Sequence, residues 1–266
     1  MRSMRRAAMF ALLCLSLLAS MPVFAAMQAK PLEWTVGKQR FSGFLVYNDS
    51  TSVKRPGLVM VPDWKGVTPA SVEKAKQIAA AGYVVLVADV YGKGVRPKDD
   101  KAAGAQVGKM YQDLPGLRAR MTAALNTLRA QAAKAPVDTD RIGALGFCFG
   151  GKAVLELARS GAEIAGVVSF HGGLDTTLPA GSGALKASVL VLNGADDTYV
   201  PAEQIQGFER EMNSAGADWQ FVNFSGAVHC FALESANSPP GCVYNERAAK
   251  RAFSMMNLFF HERFGD

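Results

Sequence analysis

The chain predicts an α/β fold, a mostly parallel central sheet with helices on both faces. Three observations predict it. Short apolar runs alternate with amphipathic stretches of helical length throughout the region after residue 26. The short runs are near-continuously apolar, as in parallel strands buried on both faces. One such run, 141–146, turns into a helical stretch, 152–158, through Gly146-Phe147-Cys148-Phe149-Gly150-Gly151. Small residues around a nucleophile at a strand-to-helix turn form the elbow pattern G-x-Nuc-x-G.

In chain order, 33–36 and 40–47 read as an opening hairpin around Gly37-Lys38, and 57–61 as a buried strand. Residues 69–81 have helical spacing and stop at Gly82, a good C-cap. Another buried strand covers 84–90, and a long amphipathic helix covers 114–134, ended by Pro136. After the elbow strand and its helix come strands over 164–170 and 188–192. A helix over 201–214 has Pro201 in its first turn; the last strand is 219–224 and the last helix 245–263. Sites in such sheets lie beyond the carboxyl ends of the strands. Residues 26–266 are expected to form one catalytic domain.

The first 25 residues read differently. Arg2, Arg5 and Arg6 precede a short apolar stretch, 7–20, and Val23-Phe24-Ala25 fits a small-residue cleavage site. The segment reads as a secretory signal expected to be cut after Ala25, with an apolar run too short to span a bilayer well. The expectation is an exported protein, periplasmic or secreted, that keeps no membrane segment. Losing three arginines lowers the formal charge from +6 to +3, and the remaining Lys and Arg form no basic tract. Nothing supports nucleic-acid binding. Cys14 leaves with the signal and Cys148 is the elbow residue. Cys230 and Cys242 then either bridge, as an oxidising compartment permits, or remain two thiols, one beside the site. Their spacing with His229 is not that of a zinc site, and no metal or cofactor is expected.

A nucleophile needs a base, and the base an orienting acid. His261 sits among charged residues of the last helix and reads as surface. His171 follows the strand after the elbow, near the site rim, in a substrate-touching or a structural role. His229 follows the last strand in Gly226-Ala227-Val228-His229 and is the best base. Asp196 and Asp197 both follow the strand ending at Leu192; Asp197, just before the next helix, is preferred, with Asp196 as a turn or cap residue. The glycines suit a tight turn, and the helix N-terminus favours a thiolate at Cys148.

These residues resemble the dienelactone hydrolase family of α/β-hydrolases. The resemblance rests on Pro56-Gly57-Leu58-Val59-Met60-Val61-Pro62-Asp63-Trp64-Lys65-Gly66, Ala88-Asp89-Val90-Tyr91-Gly92, the Cys148 elbow, Asp197 with Val200-Pro201, and Gly226 to Phe231. It implies an ester or lactone hydrolase with Cys148 as nucleophile, His229 as base and Asp197 as orienter, working through an acyl-thioester. It implies an oxyanion hole from the backbone N–H groups of Trp64 and Phe149. It also implies a carboxylate that holds the resting thiol, here Asp63, where the family usually has glutamate; the other reading is that Asp63 only forms a turn. Two arginines that hold a substrate carboxylate in dienelactone-cleaving members correspond to Leu233 and Val107, so the reaction class transfers and the substrate does not. Arg96 or Lys109 could replace the charge. Trp64, Tyr91, Phe149, Tyr199 and Phe231 suggest an apolar pocket. A thioesterase or carboxylesterase of the same mechanism is the neighbouring reading; a thiol redox protein or a silent binding protein is more remote.

Overall fold

The computed structural model describes residues 27–265; the expected signal segment lies outside the described residues. Eight strands form one sheet in the order β1-β2-β4-β3-β5-β6-β7-β8. β1 (Met27–Val36) and β2 (Gln39–Asn48) form an antiparallel hairpin, and β2 also runs antiparallel to β4 (Val84–Val87). From β4 onward neighbours are parallel: β3 (Arg55–Val61), β5 (Val137–Phe147), β6 (Gly166–Phe170), β7 (Ser188–Gly194) and β8 (Trp219–Phe224). A two-stranded ribbon, β9 (Asn237–Ser238) with β10 (Cys242–Val243), lies in the loop after β8.

The central strands are buried at nearly every position because helices cover both faces. On one face α1 (Pro69–Ala79) and α6 (Glu246–Phe264) pack Ile78, Phe259 and Phe260 onto Met60, Leu145 and Val168. On the other, α3 (Leu114–Arg129), α4 (Phe149–Arg159) and α5 (Ala202–Ala215) pack Leu117, Leu125, Val154 and Phe208 onto Val59, Ala144 and Val191. α1 starts where it does because Thr68 and Ser71 form a reciprocal capping box.

The sequence reading differs from this architecture in places. β1 begins six residues earlier than expected, carried outward by pairing with β2. β4 stops at Val87, because Asp89 turns the chain by accepting the N–H groups of Tyr91 and Gly92. α2 (Asp100–Gln112) is absent from the sequence reading; Gly104, Gly108 and few apolar residues hide its period. Pro201 caps α5 rather than entering its first turn. None of the described helices is long and apolar enough to cross a membrane.

Candidate active site

Parallel strands deliver their loops to one edge of the sheet. Cys148 follows β5, His171 follows β6, Asp197 follows β7 and His229 follows β8. Cys148 is the residue before α4 and has φ 55°, ψ −118°. That is a strained conformation for a side chain with a Cβ. It is held because Cys148 N–H donates to Phe170 O (3.0 Å) while Cys148 O accepts from Gly151 N–H (3.0 Å). A Cβ on Gly146 would lie 2.1 Å from Gly150 O, and one on Gly150 2.1 Å from Val61 O. Both contacts are with backbone, so only glycine lets α4 close onto β3 and β5.

Cys148 Sγ lies 3.0 Å from His229 Nε2, and His229 Nδ1 lies 2.8 Å from Asp197 Oδ2. Asp197 is buried, and its other oxygen accepts the N–H of Tyr199 at 2.9 Å. Asp196 is exposed. Burial alone would depress the His229 pKa, but hydrogen bonds to Asp197 and Cys148 outweigh it and raise the value to about 10. The imidazole therefore carries its proton at neutral pH, opposite the sulfur at a helix N-terminus.

The loop carrying His229 has little regular structure of its own. Cys230 is disulfide-bonded to Cys242, and Val243 N–H donates to His229 O (3.1 Å). Asn245 closes the loop base, its N–H on Phe231 O (3.1 Å) and its side-chain amide on Gly226 O (2.9 Å).

Cys148, His229 and the disulfide line a cavity of about 380 Å³ with Trp64, Val107, Tyr111, Phe149, Tyr199 and Val200. Trp64 sits in a turn in which Asp63 Oδ1 accepts the Lys65 N–H (2.8 Å) and Asp63 O accepts that of Gly66 (2.9 Å). The Tyr91 hydroxyl donates to Trp64 O (2.9 Å) and holds the turn from behind. The Phe149 N–H belongs to the first turn of α4, where amides lack intrahelical acceptors.

Several expectations need correction. Asp63 shapes the Trp64 turn and does not hold the thiol, whose hydrogen bond is to His229. Burial raises the Asp63 pKa against the opposing Lys65 N–H bond. Tyr91, His171 and Phe231 are buried behind the cavity and do not line it; Trp64, Phe149 and Tyr199, of the expected set, do. Tyr91 stacks on Phe149, and Phe231 fills the core beside Phe224. His171 lies under His229 with ring centroids 5.0 Å apart, and burial lowers its pKa well below the ordinary value. Leu233 lines a neighbouring cavity with Asp63 and Lys74, away from Cys148. Arg96 is engaged by Ser42 and Asp89, and Lys109 is exposed on α2. The sequence reading missed Tyr111 and Gln204, which line the cavity from α2 and α5.

Comparison with known proteins identifies the family. The dienelactone hydrolase family model matches residues 41–264. The solved structure of the protein named m3DLH is 35% identical, with a TM-score of 0.84 over 90% of this chain and 99% of that one. A dienelactone hydrolase-like promiscuous phosphotriesterase from metagenomic libraries is 34% identical, with a TM-score of 0.83 over 90% and 99%. An uncharacterised Caenorhabditis elegans protein is 34% identical over 155 residues, 56% of this chain and 94% of its own length. With the elbow, the parallel sheet and a match spanning nearly all the described residues, the chain belongs to the dienelactone hydrolase family and is an ester or lactone hydrolase.

Proposed function

We propose that this hydrolase cleaves neutral esters or lactones through a Cys148–His229–Asp197 triad and an acyl-thioester intermediate, after export and removal of residues 1–25. The observation that carries the reading is the unbroken run of contacts at the cavity mouth, 3.0 Å from sulfur to imidazole and 2.8 Å from imidazole to carboxylate.

The Cys148 thiolate attacks the substrate carbonyl, and the oxyanion collects on the backbone N–H groups of Phe149 and Trp64. The tetrahedral intermediate collapses, the carbon–oxygen bond breaks, and the leaving alkoxide takes the proton held by His229 Nε2. A water then attacks the thioester carbonyl as His229 accepts its proton. Collapse expels the Cys148 thiolate and releases the acid. Ester and water have become acid and alcohol, and the site is as it began. Asp197 holds the imidazole in the tautomer that presents Nε2 to sulfur and stabilises its charged form.

A phosphotriester is a second substrate class, favoured by the relative named as a promiscuous phosphotriesterase at 34% identity. The same thiolate and N–H pair suit attack at phosphorus. The test is a panel of aryl esters, lactones, thioesters and an aryl phosphotriester, run on wild type and Cys148→Ala. Loss of about 10³-fold or more in kcat/KM on every cleaved substrate supports the triad. Turnover that survives Cys148→Ala overturns it. Amino-terminal sequencing of protein expressed from the full gene tests export: the mature chain should begin at Ala26.

A further inference from the structure

We infer that Asp175 is a specificity-determining residue: it masks a buried cation, Lys152, and so reserves the cavity for neutral acyl groups. The inference rests on the hydrolase reading of Cys148 given above.

Lys152 lies in the first turn of α4, four residues after Cys148, and its backbone N–H donates to Cys148 O at 3.3 Å. Its side chain is only 4% exposed. The ammonium is 2.9 Å from Asp175 Oδ2 and 4.1 Å from the centre of the Tyr111 ring. Gly173 packs against its stem; a Cβ there would stand 3.6 Å from Lys152 Cδ. Asp175, Tyr111 and Gly173 all line the cavity that holds Cys148 and His229, and Lys152 stands directly behind them.

The pair is thus asymmetric. The lysine is hidden, whereas the carboxylate of Asp175 is 59% exposed and faces the cavity. A buried ammonium needs a counter-ion, and the Tyr111 ring supplies only part of that. Asp175 supplies the rest. A substrate carboxylate could pair with Lys152 only by displacing Asp175, leaving two carboxylates around one cation. Like charges within about 4–6 Å disfavour one another strongly away from bulk water. A neutral acyl chain meets no such conflict, and Trp64, Val107 and Val200 give it apolar walls. Arg96 and Lys109 are engaged or exposed elsewhere, whereas Lys152 touches the lining through the Tyr111 ring, and Asp175 decides whether a substrate can use it.

The experiment compares kcat/KM for p-nitrophenyl hexanoate and its carboxylated counterpart, mono-p-nitrophenyl adipate. Wild type should prefer the neutral ester by about tenfold or more, the equivalent of ~1.4 kcal/mol. Asp175→Ala should shift the ratio at least about tenfold toward the adipate, and Asp175→Asn should shift it the same way. Adding Lys152→Met to Asp175→Ala should erase that gain. Lys152→Met alone leaves Asp175 uncompensated and should push the ratio further toward the neutral ester. An unchanged ratio in both Asp175 variants, or a gain that persists without Lys152, overturns the inference. If either Asp175 variant fails to fold, Lys152→Met decides, and a shift toward the adipate there overturns the inference. Cys148→Ala on both esters separates this from failure of the hydrolase reading: retained turnover defeats that reading, whereas lost turnover with an unmoved ratio defeats only the role of Asp175.

Discussion

The two halves of the proposed triad are held in opposite ways. Cys148 is held by regular structure: a buried strand before it, a helix after it, and glycines that let the two close to backbone contact. His229 rides on a loop whose shape comes from a disulfide, one backbone bond to Val243 and the Asn245 clasp. The nucleophile is a property of a local sequence pattern. The base is a property of contacts between residues that are far apart in the chain. Damage to the first should therefore cost the fold, and damage to the second should cost activity first.

The harshest test of that contrast is Gly150→Ala. Its Cβ would meet Val61 O at 2.1 Å and Pro62 O at 2.4 Å, and strand backbone cannot move aside cheaply. We expect a loss of about 3 kcal/mol or more in stability, or insoluble protein, read by chemical denaturation. A variant that melts like wild type would show that the elbow is far softer than its geometry implies.

On the base side, Asp197→Asn should preserve the fold and lower kcat by about 10³-fold, because an amide no longer stabilises the imidazolium. Asp196→Asn, at an exposed position, should stay within about twofold, since surface substitutions are usually near neutral. Equal losses would move the orienting role away from Asp197. The same variant carries a pH signature. The folded His229 pKa, about 10, lies above the ordinary 6.5, so the protonated imidazole contributes stability that is complete below about pH 6.5. That contribution is lost as pH rises through about 10. The gap in Tm between wild type and Asp197→Asn should be widest near pH 6 and should narrow toward pH 10. A gap that widens with pH would reverse the assignment of charge.

A smaller effect is expected from opening the disulfide. Cys230 and Cys242 are 12 residues apart, and a loop of that size is worth roughly 3 kcal/mol of chain entropy. Cys242→Ser should lower Tm and reduce kcat by about tenfold, the scale on which slight misplacement of a reacting group is felt. If kcat holds while Tm falls, the bridge serves the fold and leaves His229 where it is.

Legibility in the sequence follows the same division. Strands, most helices and the elbow could be read because apolar period and turn chemistry are local. Cys148, Asp197 and His229 could be placed at strand ends because chain order alone puts them on one edge of the sheet. Tyr91 and Phe231, read as pocket residues, lie behind it, and His171 takes the structural of its two readings, because which side of a loop faces solvent depends on neighbours from other elements. Val107 and Tyr111 reach the cavity from α2, whose two glycines and weak apolar stripe conceal a helix that tertiary packing supports. Asp63 shows the limit of analogy. One backbone N–H within its own turn captures the carboxylate, and the thiol goes to His229.

The central claim is covalent: an acyl group passes through Cys148. The most direct measurement is intact-protein mass spectrometry after rapid acid quenching of the enzyme with p-nitrophenyl hexanoate, followed by peptide mapping. The account predicts a transient adduct of one hexanoyl group, mapped to the peptide containing Cys148, absent in Cys148→Ala and longer-lived in Asp197→Asn. Turnover of the ester with no adduct at any quench time, or an adduct on a residue other than Cys148, would contradict it.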